Sequence, residues 1–196
     1  MFKLKLPTDP RWAQIAEQNI AEVLTDHAFC ELKAASTATS FISKFPDKTE
    51  LVNAMVELVK EEIEHFHRVH QLLNLRGFTL GKERKDEYVN ELAQFCIKSG
   101  YSREEYLINK LLLAALIEAR SCERFKVLSE HFQKNDPELS NFYYELMKSE
   151  ANHYTLFIGF ARKYAQTIDV EKRWQEILDF EGKVISNYGK SELIHG

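Results

Sequence analysis

Glycine and proline are scarce in this chain, 7 and 4 of 196 residues, which argues against a many-turned β-sandwich or a disordered polypeptide and favours helices. Cysteine is nearly absent too. Cys30, Cys96 and Cys122 are an odd number of isolated thiols without C-x-x-C spacing, which excludes zinc-ribbon or rubredoxin-type modules and suits a reducing compartment. Any metal must therefore be held by other residues. Long apolar runs are missing: the longest, Leu111 to Ile117, is seven residues against the roughly 20 that a membrane-spanning helix needs. The opening MFKLKLPTDPRW has neither an apolar signal core nor a small-residue cleavage site, so the expected location is the cytoplasm, with no membrane partner.

What is present is helix punctuation. Hydrophobic residues at 44% and charged residues at 29% fit a globular chain, expected as one domain over residues 1–196. Asp9-Pro10 opens a short leading helix carrying Trp12 and Ile15. A first long helix from about Glu22 to Lys44 stops at Phe45-Pro46-Asp47, and Asp47 with Glu50 is expected to cap a second that ends at Arg76-Gly77. The capping box Ser102-x-x-Glu105 opens a third helix to about Gln133, and Asp136-Pro137 opens a fourth to about Tyr164. A terminal helix is expected over 169–188. Short connections make each pair an antiparallel hairpin, whereas the 26 residues from Arg76 to Tyr101, with their own short helix at about Asp86 to Ile97, are long enough to cross a bundle. The expected fold is all-α, a ferritin-like four-helix bundle of two hairpins and a long crossover, with short flanking helices.

Charge interrupts all four apolar stripes. The second helix gives Met55, Leu58, Glu62, His65, Val69 and Leu72, and the fourth gives Leu146, Glu150, His153, Phe157, Phe160 and Tyr164. The first gives Leu24, Ala28, Glu31, Ala35, Ala38 and Ile42, and the third gives Leu107, Leu111, Ala114, Glu118, Ser121, Phe125 and Leu128. Each half thus reads Glu, then Glu-x-x-His, at separations of 31 and 32 residues between the two glutamates. With 23 Glu and seven His, fewer than one Glu-x-x-His is expected by chance; there are four. Glu64/His67 lies on the opposite face of its helix and Glu192/His195 sits in the tail, so both read as solvated. Glu123 competes with Glu118 but is turned about 140° from the seam, and Glu118 is preferred.

Four carboxylates and two imidazoles gathered without cations would cost several kcal/mol in desolvation and repulsion, and no Lys or Arg shares their seams. Carboxylate and imidazole without thiolate suit iron or manganese, and two Glu plus two Glu-x-x-His is the dinuclear carboxylate pattern. The net charge of −4 is then largely internal, since two divalent cations would neutralise it.

At these residues the chain resembles a family. Leu24-Thr-Asp-His-Ala-Phe-Cys-Glu-Leu-Lys-Ala-Ala35, Lys60-Glu-Glu-Ile-Glu-His-Phe66, Ile117-Glu-Ala-Arg-Ser-Cys-Glu-Arg-Phe125 and Ser149-Glu-Ala-Asn-His-Tyr154 are similar to the tRNA-(2-methylthio-N6-isopentenyladenosine) hydroxylases, MiaE. The resemblance implies Glu31, Glu62, His65, Glu118, Glu150 and His153 as ligands of two iron ions, with manganese as the alternative. It implies dioxygen as co-substrate, an electron donor, and hydroxylation of the isopentenyl group on a prenylated adenosine beside the tRNA anticodon. Glu64 stands where some members carry a second histidine, and the crossover is shorter than in longer members. His27, Arg120 and Glu123 are candidates to orient a ligand. Arg76, Lys82, Arg84 and Lys85 form the densest basic cluster for tRNA phosphates. The competing readings are an iron store or ferroxidase, a peroxide-handling enzyme, and a non-enzymatic metal-stabilised helical module.

Overall fold

Side-chain caps open four of the helices. A computed structural model describes residues 2–96, 101–188, 191, 193 and 194, and the helices are α1 (Arg11–Gln18), α2 (Ile20–Lys44), α3 (Thr49–Leu75), α4 (Glu87–Ala93), α5 (Arg103–Phe132), α6 (Pro137–Tyr164) and α7 (Val170–Ile185). No strand occurs among the described residues, and no helix is long and apolar enough to cross a membrane. The Asp86, Asp136 and Asp169 carboxylates accept from backbone N–H groups three residues on, and Ser102 with Glu105 completes the capping box. At the end of α3, Gly77 takes φ +75°, and the N–H groups of Gly77 and Phe78 bond the carbonyls of Asn74 and Leu73, which closes the helix in a Schellman turn.

Some expected boundaries move. Lys48, one residue after the expected Asp47, stands at the N-cap position of α3, and its own side chain makes no capping bond. The leading helix is separated from α2 by Asn19 alone. The crossover helix closes in a 3-10 turn, Gln94–Cys96, while Ile97 lies outside the described residues.

The chain divides into two compact units. One comprises 16–85 with 192–194 and is built on the antiparallel α2–α3 hairpin. Leu24, Ala28, Ala35 and Ala38 of α2 and Met55, Leu58, Val69 and Leu72 of α3 are buried there; Ile42 is half-buried, and Phe41 takes the buried place instead. Ile194 is also buried, and its N–H donates to Asp26 Oδ2 at 2.7 Å.

The other unit comprises 1–15 and 86–191 with the last two residues, and is built on the α5–α6 hairpin with α4 and α7 packed on α5. All seven expected seam positions of α5 are buried. On α6 the stripe runs as expected through Phe157, but Phe160 and Tyr164 are half-buried and Ala161 is buried in their place. A strict 3-4 alternation drifts from a straight helix of 3.6 residues per turn, and the drift shows in the last two turns.

Candidate metal centre

The polar seam positions meet inside each hairpin. In α2–α3, Glu31, Glu62 and His65 each offer a donor atom within 4.8 Å of the others, and all three are buried. His65 Nδ1 lies 3.2 Å from Glu62 Oε2 and 3.8 Å from Glu31 Oε2. One turn earlier on α2, fully buried His27 sets its Nε2 at 2.6 Å from the other Glu31 oxygen, Oε1. Burial alone would raise the Glu31 carboxyl, but the hydrogen bonds from His27 and His65 outweigh it and hold the group well below the usual carboxylate range. Burial pulls His65 down, and Glu31 and Glu62 overcome that and push it up to about 9.

The α5–α6 hairpin repeats the arrangement more loosely. His153 Nδ1 lies 3.8 Å from Glu118 Oε2 and 3.9 Å from Glu150 Oε1, and all three residues are buried. Position 114, one turn before Glu118, is alanine, so no imidazole supports this glutamate as His27 supports Glu31. Buried carboxylates and imidazoles without a thiolate are the donor set of a metal centre for iron or manganese, and the residues present fit it.

Glu123, the competitor to Glu118, is committed elsewhere. It accepts from the Thr8 N–H and hydroxyl, both at 2.6 Å, and from Arg120 at 2.7 Å. Arg120, fully buried, also donates to Glu181 Oε1 at 2.5 Å and to the Leu6 carbonyl. Tyr88 donates to the same Glu181 oxygen at 2.9 Å. Among the described residues, no bond from Arg120 or Glu123 reaches Glu118; they face a network joining α5 to α7, α4 and the N-terminal segment. Arg124 lies under it, fully buried, 4.3 Å from the centre of the Trp12 ring. Burial and neighbouring Arg120 bring its guanidinium down to about 10.

Sequence reasoning did not single out Glu181, Arg124 or Asp26. The signal for the first existed, since Ile177, Leu178, Glu181 and Val184 form a buried stripe on α7 and Glu181 stands inside it. The tail pair Glu192/His195 lies outside the described residues. Glu64 and His67 are exposed, with His67 on Gln71 at 2.8 Å. Cys122 donates to the Met147 carbonyl, and its thiol is pushed up to about 11 by burial and then by Glu118 and Glu123.

The basic cluster at the end of α3 is tied to α2. Gly81 packs on Thr25, leaving no room for a side chain without displacing it, Arg84 pairs with Glu22 at 2.9 Å, and Lys33 holds the Arg84 carbonyl at 3.1 Å. Lys82 and Lys85 are exposed; Arg76 is half-buried.

Among the described residues, seven helices, two hairpins, and a Glu plus Glu-x-x-His facing inward in each hairpin define an all-α protein of the ferritin-like class. The profile described as tRNA-(MS[2]IO[6]A)-hydroxylase (MiaE) matches residues 2–196, and the chain belongs to that family. It is 37% identical over 169 residues, 86% of this chain and 80% of the relative, to the tRNA 2-(methylsulfanyl)-N(6)-isopentenyladenosine(37) hydroxylase of Pseudomonas putida. The enzyme of the same name from Salmonella typhimurium is 30% identical over 242 aligned positions, covering 98% of this chain and 87% of the relative. The alignment exceeds the length of this chain, so that relative carries insertions. A solved structure, Protein 43 with aldehyde deformylating oxygenase activity from Synechococcus, superposes with TM-score 0.89 at 31% identity, over 98% of this chain and 95% of its own.

Proposed function

We propose that this chain hydroxylates the isopentenyl side chain of the hypermodified adenosine next to the anticodon of tRNA, consuming dioxygen and two electrons from an external donor. The carrying observation is a buried Glu with a Glu-x-x-His in each hairpin of a chain that belongs to the MiaE family. In this reading residues 1–196 act as one cytoplasmic domain, and Glu31, Glu62, His65, Glu118, Glu150 and His153 together hold two iron ions.

The iron pair would supply the activation of dioxygen and the oxidising power to replace an allylic C–H bond by C–OH. The protein would supply position and surroundings. Glu31 is held by His27 and His65, so one carboxylate is oriented before any cation arrives. The carboxylates keep the neighbouring imidazoles in place as nitrogen donors. The apolar seam residues above and below, among them Leu58, Ala35, Leu111, Ala114 and Phe157, are buried and would keep water from the reacting carbon. Arg76, Lys82, Arg84 and Lys85 would neutralise tRNA phosphates, with Lys82 and Lys85 the more accessible pair.

The test is incubation of the iron-loaded protein, a chemical reductant and air with tRNA bearing the prenylated adenosine, followed by mass spectrometry of the nucleosides. A product heavier by one oxygen on the prenyl group is expected; unchanged nucleoside would overturn the reading. The likeness to a protein with aldehyde deformylating oxygenase activity supplies a comparison arm, an aldehyde under the same conditions, which is expected to remain unconverted.

A further inference from the structure

The α5–α6 hairpin carries, on its outer side, a cavity of about 230 Å³ that the metal centre does not use. It is too small for a drug-sized ligand, for which sites run roughly 300–1,000 Å³, and suits one planar ring. Tyr144 forms one side and is 48% exposed, among the few large apolar side chains of the molecule left in solvent. Its neighbour in sequence, Tyr143, is fully buried against Phe125, so the helix assigns one tyrosine to the core and presents the other. The rest of the lining mixes an apolar surface, Met147, with the amide of Gln133, the hydroxyls of Ser129 and Ser140, the cation of Lys126 and the carboxylate of Glu130. Lys148 Nζ stands 4.8 Å from the Tyr144 ring centre, a cation over the aromatic face.

We propose that this cavity receives one unpaired base of the tRNA loop, stacked on Tyr144. This rests on the tRNA reading above. The surroundings favour stacking over charge: Lys126 and Lys148 each face a glutamate on their own helix, Glu130 at 3.8 Å and Glu145 at 2.8 Å, so the local net charge is near zero. An aromatic face with flanking amide and hydroxyl groups is how proteins hold splayed RNA bases. The axial position is also suitable. Tyr144 precedes Glu150 by six residues on α6 and Lys126 follows Glu118 by eight on α5, roughly 9 and 12 Å along the helices at ~1.5 Å per residue. A neighbour of the modified nucleotide could occupy the cavity while the prenyl group reaches the level of the glutamates.

The test is fluorescence-anisotropy binding of prenylated tRNA to the full iron-loaded chain and to Tyr144→Ala and Tyr144→Phe. Tyr144→Ala should weaken binding roughly tenfold, the usual range for one lost stack, and Tyr144→Phe should restore it. The slope of log Kd against log salt should stay unchanged, because no phosphate contact is lost. Iron content and thermal unfolding report whether the variants are intact, and Tyr144 lies on an exposed face where both should hold. Binding by Tyr144→Ala within twofold of the parent, while the parent binds and hydroxylates tRNA, would overturn the stacking site alone. A parent that binds no tRNA would overturn the site together with the functional reading.

Discussion

The two hairpins carry the same pattern, a Glu and a Glu-x-x-His, and hold it differently. In α2–α3 the glutamate of the first helix is held by His27 at 2.6 Å, with His65 at 3.8 Å from its other oxygen and at 3.2 Å from Glu62. In α5–α6 the separations are 3.8 and 3.9 Å, and alanine stands where His27 has its counterpart. In the first triad Glu31 is therefore oriented by His27 and His65 by Glu62, whereas in the second His153 stands farther from both carboxylates. What α5 has in place of a supporting histidine is on its other side, where Arg120, Glu123 and Glu181 lock the helix to its neighbours. One hairpin fixes a side chain and the other fixes a helix.

Removing a ligand from the looser half gives the largest effect. Glu118→Ala or His153→Ala should abolish tight binding of the iron pair and reduce tRNA hydroxylation by more than about 100-fold, since loss of groups that merely orient ligands already costs roughly 10- to 100-fold. Elemental analysis together with product mass spectrometry checks this. Full metal stoichiometry with full activity in either variant would remove that residue from the ligand set.

The helix lock should show mainly in stability. Arg120 and Glu181 are both fully buried and ion-paired, and breaking such a pair from one side strands the other charge. Arg120→Leu is expected to cost about 3–5 kcal/mol in chemical denaturation. Replacing both, Arg120→Leu with Glu181→Leu, should recover much of that loss, and a double variant as unstable as the single one would show that the pair is not the relevant interaction.

Next in size is the prop under Glu31. His27→Ala should weaken iron binding roughly 10- to 100-fold while leaving the second triad's geometry intact. The same half sets the pH response. With His65 raised to about 9, the metal-free protein draws stability from that proton which is whole below the ordinary histidine value of 6.5 and drains away as pH climbs through about 9. Iron needs the deprotonated imidazole, so its affinity should rise across the same interval. Thermal unfolding of the metal-free protein and iron titration, both between pH 6.5 and 9, should run in opposite directions; parallel trends would contradict the His65 assignment.

How much of this is legible in the chain alone depends on the range of the interaction. Ser102-x-x-Glu105, Asp136-Pro137 and Gly77 are local signals, and each ends or starts a helix as expected because the bonds involved span only a few residues. The burial of Glu31, Glu62, His65, Glu118, Glu150 and His153 is legible because ionisable groups interrupt regular apolar seams. The start of α3 is legible only to within a residue: the helix begins at Thr49 with Lys48 before it, one position past the Asp47 that the local signal marks. The Arg120–Glu181 pair joins residues 61 apart on different helices, and Thr8–Glu123 joins residues 115 apart; no local spacing encodes either. The last turns of α6 depart from the expected stripe because a 3-4 alternation does not hold past the point where helix drift takes Phe160 out of the seam.

The smallest expected effect tests the phase of α3, on which the first triad depends. Two overlapping Glu-x-x-His sequences occupy this helix, Glu62/His65 and Glu64/His67, and the seam chooses between them because two residues along a helix turn a side chain by about 200°. The structure places the first pair inside and the second in solvent, with His67 hydrogen-bonded to Gln71 on its own helix. Exposed positions of this kind change stability by no more than about 0.5 kcal/mol when replaced. Glu64→Ala and His67→Ala should therefore retain full iron content, the pH behaviour of the parent and full hydroxylation. A fall in metal stoichiometry in either one would mean that α3 is rotated from the phase its buried leucines, methionine and valine define, and Glu62 and His65 would then leave the site together.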